Sequence, residues 1–277
     1  VAVKYSLLLA CLASCATVKP VTLVAAGDIS APVLDGKQEL TAKLVEAQQP
    51  DGVLLLGDAQ YDDGALELFE NVYGATWGRF KDKTYPAPGN HEYKTANASG
   101  YFTYFGARAG DPDKGYYSFD MGAWHVVALN TSDLCQNVSC EAEGEQVKWL
   151  EADLAATKKK CVLAYWHYPR FSSGKHGNFN RAAPFWKVLA KHDAELVLTG
   201  HEHFYERLSP IDGITQLTVG TGGAHFAEFA DVHPNSVVRQ NDTLGVLKLV
   251  LRDGSWSTEF IAEEGKPFRD VASGTCR

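Results

Sequence analysis

Gly200-His201-Glu202-His203-Phe204-Tyr205-Glu206-Arg207 follows directly on the run Ala194-Glu195-Leu196-Val197-Leu198-Thr199. The run is short, mostly apolar and stopped by glycine, so it reads as a buried strand. In an extended segment the side chains of residues i and i+2 leave on one side, and His201 and His203 are therefore expected to reach one place. Neutral imidazole is a common transition-metal ligand, and a His-x-His pair leaving a strand end makes a chelating edge. The pattern recurs, because further apolar runs end in Gly27-Asp28, Gly57-Asp58 and Gly89-Asn90. Each sets a metal-capable oxygen after a residue that has no Cβ, where the chain can turn and approach an ion closely. Packing alone gives little reason for four such strand ends in one chain.

Outward from that stretch, strands are expected at 21–26, 53–56 and 162–166, the last closing on His167. Tyr85-Pro86-Ala87-Pro88 leads into Gly89-Asn90, and its prolines suit a sheet edge. Residues 116–119 and 124–129 read as a hairpin about Asp120-Met121-Gly122-Ala123. Helical spacing of apolar residues covers 38–49, 65–73, 145–157 and 181–191. After Arg207 the texture turns to strands at 215–219, 244–251 and 256–261, with turns at Asp212-Gly213 and Asp253-Gly254. Helix–strand alternation followed by β-runs predicts an α/β chain with two packed sheets flanked by helices. No repeat or linker interrupts residues 20–277, which read as one domain.

A chain of 277 residues with 45% apolar content can bury a large core. A formal charge of −8 disfavours nucleic acid or an anionic membrane as the main partner. It remains compatible with a small phosphorylated substrate, since bound cations would reverse the local field. Residues 1–19 read as an export leader, with Lys4 before the apolar run 6–13. Leu12-Ala13-Ser14-Cys15 resembles a bacterial lipoprotein signal, in which Cys15 would carry a lipid anchor; an ordinary cleaved signal is the alternative. Periplasm, cell envelope or secretion follows from either. Beyond the leader stand Cys135, Cys140, Cys161 and Cys276, an even set suited to an oxidising compartment. Three pairings are open; a local Cys135–Cys140 bond would leave Cys161 to tie the C-terminal tail to a strand.

Asp28, Asp58, Tyr61, Asn90, His167, His201 and His203 together offer carboxylates, imidazoles, an amide oxygen and a phenol, a set suited to two cations sharing a bridging carboxylate. Gly57-Asp58-x-x-Tyr61, Gly89-Asn90-His91-Glu92, Trp166-His167-Tyr168-Pro169 and Gly200-His201-x-His203 resemble, in order and spacing, the motifs of calcineurin-like metallophosphoesterases. Within these the chain looks like the purple acid phosphatase branch, and Val219-Gly220-Thr221-Gly222-Gly223 also resembles a loop of the family. Where many metallophosphoesterases carry Asp-x-His, this chain has Asp28-Ile29-Ser30, and Tyr61 can replace the missing imidazole. A phenolate is a hard donor that favours Fe(III). The branch usually has glycine at the position of Ser30.

The resemblance implies a four-layer α-β-β-α sandwich of two mixed sheets. It implies that Asp28, Asp58, Tyr61 and His203 hold Fe(III), and that Asp58 bridges to a divalent Fe, Zn or Mn held by Asn90, His167 and His201. It further implies an acid phosphatase attacking phosphorus with a metal-bound hydroxide, with His91 binding phosphate and protonating the leaving group. Asn90 and His176 would join the substrate contacts, His176 at the mouth. A phosphodiesterase or nucleotidase with the same ligands is one alternative, and a non-catalytic metal- or phosphate-binding module is another.

Among the remaining polar residues, Glu92 is expected either to orient His91 or to be a solvated loop charge. Glu202 and Arg207 read as scaffold, His125 and His192 as structural and His233 as a surface residue; His225, in the loop after Gly223, could approach the site but reads first as a surface residue. Tyr101-Phe102-Thr103-Tyr104-Phe105 is expected in the core rather than as a substrate wall. Specificity would reside in loops 93–115, 168–180 and 221–242.

Overall fold

The computed structural model describes residues 18–277. The lipoprotein-type leader, with Cys15, lies outside the described residues apart from its last two positions. In chain order the strands are β1 (Val21–Ala26), β2 (Gly52–Leu56), β3 (Thr84–Ala87), β4 (Tyr117–Met121), β5 (Trp124–Ala128), β6 (Cys161–Tyr165), β7 (Leu196–Thr199), β8 (Tyr205–Leu208), β9 (Thr215–Val219), β10 (Ser236–Gln240), β11 (Gly245–Arg252), β12 (Ser255–Ala262) and β13 (Val271–Thr275). They form a six-stranded sheet, β13-β12-β11-β1-β2-β3, and a seven-stranded sheet, β10-β8-β9-β7-β6-β5-β4. Both are mixed. β1, β2 and β3 run parallel to one another, as do β5, β6, β7 and β9, while the remaining neighbours pair antiparallel.

Strand alternation explains the layers. In the second sheet Val126, Leu163 and Leu198 share one core with Leu23, Leu247 and Leu249 of the first. Their neighbours Val127, Val162, Ala164 and Val197 face the other way, onto Val147, Leu150 and Leu154 of helix Glu145–Ala156 and Phe185, Trp186 and Leu189 of helix Ala183–Lys191. A strand with apolar residues on both faces must be covered on both, which requires helices outside the sheets. Helix Lys37–Gln48 buries Ala42 and Val45 against the first sheet's core. The four-layer α-β-β-α arrangement follows.

β3 stands at an edge, where its Pro86 costs no interior ladder bond. Three elements were not legible in advance. β10 and β13 are short edge strands of alternating exposure, and helix Ser99–Phe105 buries aromatics on nearly every face, which hides a helical period. The stretch at 65–73 starts as a helical turn, Leu66–Leu68, and continues as a π-helical turn, Phe69–Tyr73. Disulfides join Cys135 to Cys140 and Cys161 to Cys276. No helix among the described residues is long and apolar enough to cross a membrane.

The consequence for function lies at one rim. β1, β2 and β3 end at Gly27-Asp28, Gly57-Asp58 and, just past Pro88, Gly89-Asn90. From the second sheet, β6 leads to His167 and β7 to Gly200-His201.

Candidate metal centre

Seven side chains converge at that rim in two adjoining clusters. In the first, the Tyr61 hydroxyl lies 2.9 Å from Asp28 Oδ1, 2.9 Å from His203 Nε2 and 3.2 Å from Asp58 Oδ2. His203 Nε2 is also 3.3 Å from Asp28 Oδ1. In the second, Asn90 Oδ1 is 3.1 Å from His167 Nε2 and 3.2 Å from His201 Nδ1, and the two imidazole nitrogens are 3.2 Å apart. Asp58 belongs to both, since the same Oδ2 that faces Tyr61 lies 3.2 Å from His167 Nε2.

The His-x-His pair departs from what extended spacing alone suggests. Residues 201–204 are bends rather than strand, and His201 has φ 69°. The left-handed turn sends His201 to the second cluster and His203 to the first, so the pair reaches two neighbouring places instead of one. Asp28 and Asp58 also have positive φ, 60° and 49°. Such backbone is uncommon for residues bearing a Cβ and persists where its surroundings over-determine it. The preceding glycines serve chiefly for close approach. A Cβ on Gly57 would sit 2.5 Å from His167 Nδ1, and one on Gly89 would collide with the Asp58 carboxylate.

Buried Glu92 fixes the Asp58 and Asn90 turns. Its Oε2 accepts the amide N–H of Gly89 (2.6 Å) and of Asp58 (2.9 Å), and its Oε1 that of Ala59 (2.8 Å). It is neither a solvated charge nor a partner of His91, so both expectations for it are corrected. Those amides converge only once β2 and β3 are paired, which sequence spacing could not reveal.

The donor set fits cations on its own chemistry. His167 Nδ1–H donates to the Leu56 carbonyl (2.8 Å) and His203 Nδ1–H to the His225 carbonyl (2.7 Å), which leaves each neutral ring a lone pair at Nε2. Tyr61 has one proton for three neighbours. Asn90 Oδ1, an acceptor, faces two more ring nitrogens. At both places lone pairs outnumber protons, and this excess is what two positive ions would satisfy. Ligand atoms of Asp58, His167 and His201 lie within 4.8 Å of one another.

Without ions the charges strain against each other. Burial works to raise the Asp58 carboxyl, but His167 outweighs it and holds the group well below the usual carboxylate range. Burial likewise works to lower His167, yet the Asp58 charge lifts it to about 9. His203 is raised because contacts with Asp28 outweigh its burial. His201 falls well below its ordinary value through burial and the neighbouring His167. Burial, then Asp28 and Asp58, push the Tyr61 phenol far up. Burial and the Asp58 charge bring Glu92 to about 7, against the pull of its amide donors. Ligation needs free lone pairs on His167, His203 and Tyr61, so metal binding there would release protons.

Around the centre, His91 places Nε2 3.9 Å from Asp58 Oδ2, and its Nδ1 faces both the Asp62 carbonyl (2.5 Å) and Lys94 Nζ (2.9 Å), donating to the first or accepting from the second according to its tautomer. His176 is exposed, with its ring 4.6 Å from that of His201 and Nδ1 3.3 Å from Glu202. It lines a cleft of about 280 Å³ with Leu134, Tyr168, Phe179 and His201. On the opposite wall Tyr61, His91 and His203 line a cavity of about 270 Å³. His225 is exposed, as expected, and it also lines this cavity, its ring edge-on to His203 at 4.7 Å. Its backbone carbonyl and its ring both serve His203, a contact between distant loops that no local motif announces.

Most other expectations stand. His125 bonds Asp120 and Asp153, and His192 bonds Glu151. Arg207 pairs with Asp270 through two bonds, and Glu202 is buried scaffold accepting from Ser172. His233 is half-buried against Phe171 rather than on the surface. Tyr101, Phe102, Tyr104 and Phe105 are core. Ser30 is buried and joins Gln60 in an isolated bridge, so its backbone serves the loop and its side chain takes no part in the clusters.

Comparison with known proteins agrees with the geometry. The model of the calcineurin-like phosphoesterase family matches residues 21–205. Purple acid phosphatase 21 of Arabidopsis thaliana is 25% identical over 233 residues, covering 74% of this chain and 50% of that protein. Acid phosphatase type 7 of Homo sapiens is 30% identical over 189 residues, covering 58% and 41%. The chain thus spans half or less of the length of these relatives. Among solved structures, purple acid phosphatase PPD1 from yellow lupin seeds (Lupinus luteus) superposes with a TM-score of 0.75 at 20% identity, over 93% of this chain and 54% of that one. The family match extends from β1 to the start of β8 and takes in every strand end that reaches the centre, so the chain belongs to the calcineurin-like phosphoesterases, with its likeness directed to the purple acid phosphatases among them.

Proposed function

We propose that the chain is a dinuclear-metal phosphoester hydrolase, acting as a phosphomonoesterase of purple acid phosphatase type. The observation that carries the reading is Asp58, whose single Oδ2 faces both donor clusters. Asp28, Asp58, Tyr61 and His203 would hold Fe(III), and Asp58, Asn90, His167 and His201 a divalent Fe, Zn or Mn. When bound, the two ions lower the pKa of water and offset charge on the phosphoryl oxygens.

The chain's own groups supply the rest. Glu92 fixes the Asp58 and Asn90 turns so that little reorganisation is needed as charge develops. The amide NH₂ of Asn90, whose oxygen faces the second cluster, is left for a phosphoryl oxygen. His91 stands beside Asp58 with Nδ1 accepting from Lys94, which leaves the ring proton on Nε2 for the departing oxygen. His176 closes the rim on the other side. Walls of apolar and ring carbon limit water around these groups.

A second reading, a phosphodiesterase or nucleotidase, is favoured by the two separate cavities that adjoin the centre, one at His203 and one at His201, each of which could take one ester group. The two disulfides support residence outside the cytoplasm, and export to the envelope, with Cys15 as a lipid attachment point, belongs to the proposal.

The test is steady-state hydrolysis of p-nitrophenyl phosphate and bis(p-nitrophenyl) phosphate by metal-replete protein and by Asp58→Asn. The monoester should be the better substrate, and Asp58→Asn should lose about 10³-fold or more in kcat. Bound phosphate without turnover of either ester would overturn the hydrolase reading. Preference for the diester would decide for the second.

A further inference from the structure

The cavity beside His91 does not end at the centre. A second cavity of about 590 Å³, lined in part by Leu40, Phe226 and Leu244, shares Asp35, Lys37, Ala224 and His225 with it, so the two form one groove leading away from Tyr61, His91 and His203. Most charged groups along it are already engaged, while the exposed carboxylate of Asp62 and the rings of His91 and His225 line its inner end. Asp35 accepts the Lys37 amide and pairs with its ammonium, Glu263 accepts the Leu244 amide, and Lys266 donates to the Asp242 carbonyl. Away from that inner end most of what is left to meet a ligand is carbon. Leu40 and Phe226 are half-buried, Ala224 and Leu244 are buried, and Val33 and Leu34 stand 64% and 59% exposed on the loop 31–36 that borders the inner cavity. Two large exposed aliphatic residues beside a groove continuous with a reactive centre point to an apolar ligand.

We propose that this groove is a leaving-group subsite and that it selects phosphomonoesters of elongated apolar alcohols, that is, amphiphilic alkyl phosphates. The inference rests on the hydrolase reading above. The bond from phosphorus to the alcohol oxygen breaks, water provides the new bond to phosphorus, and the departing alkoxide takes its proton from His91. His91 lines the groove and does not line the opposite cleft of Leu134, Tyr168 and Phe179, so the alcohol leaves into the groove.

The experiment measures kcat/KM for n-alkyl phosphates from ethyl to octyl, below their micelle concentrations, with metal-replete protein. Burial of each methylene should raise kcat/KM about two- to fourfold until the chain outgrows the groove. Leu40→Arg, a half-exposed helix position, and Phe226→Ala should each flatten that rise by lowering the octyl-to-ethyl ratio at least about fivefold. A flat chain-length dependence in the wild type, with p-nitrophenyl phosphate still hydrolysed, overturns the subsite and leaves the hydrolase reading standing. A rise that both variants preserve and Phe179→Ala abolishes also overturns it, by moving the alcohol to the opposite cleft. Failure to hydrolyse any ester removes the hydrolase reading and the subsite with it.

Discussion

Tyr61 separates this centre from one built on Asp-x-His. Its hydroxyl touches donors of both aspartates and of His203, and its buried phenol ionises only against a nearby cation. Tyr61→Phe keeps the ring and removes the donor. The variant should fold, lose the visible charge-transfer band of the iron-loaded protein and fall about tenfold or more in kcat. Persistence of the band would show that another residue binds the iron. At this scale the sequence was most informative where a motif gave both type and position: all seven donors converge. It was least informative where a role depends on partners from other strands. Glu92 needs the amides of Asp58, Ala59 and Gly89, and His225 needs His203, and neither partnership leaves a local trace. His201 and His203 show the intermediate case, since their identity was legible but the left-handed turn that parts them was not.

Among the elements, the β4–β5 hairpin is clamped onto helix Glu145–Ala156 by His125, whose Nδ1 meets Asp120 (2.9 Å) and Nε2 meets Asp153 (2.8 Å). Burial alone would lower this imidazole, but the two carboxylates outweigh it and raise it above its ordinary 6.5. A group raised in the folded state contributes stability that is complete below the unfolded pKa and is lost as pH rises through the folded one. His125→Ala should therefore cost about 1 kcal/mol more at pH 5.5 than at pH 9, as read by urea unfolding. Equal costs at the two pH values would contradict the clamp. Elements carried by periodicity, such as helix Glu145–Ala156 with Val147, Leu150 and Leu154 inward, were legible because burial on one face writes itself as spacing. Helix Ser99–Phe105 and edge strands β10 and β13 were not, since the first is buried nearly all round and the strands gain their place from neighbours rather than from apolar content.

Across the whole molecule, the two sheets bring strand ends from both halves of the chain to one rim, and Cys161–Cys276 ties the start of β6 to the tail beyond β13. That bond spans 115 residues, and closing so long a loop restricts the unfolded chain by about 4 to 5 kcal/mol in the chain-entropy model. Cys161→Ser with Cys276→Ser should lower Tm by about 10 °C while leaving the donor clusters, at the strands' other ends, able to bind metal. An unchanged Tm would mean that tail packing, not the bond, holds the sheets together. The claim beneath all of this is that seven donors hold two ions through a shared Asp58. Its most direct measurement is the metal content of chelator-stripped protein after reloading and gel filtration, for wild type and Asp58→Asn. The wild type should retain two ions per chain with a tyrosinate band when one is iron, and Asp58→Asn should retain fewer than two. One ion or none in the wild type, or two undiminished in Asp58→Asn, would contradict the shared-carboxylate centre.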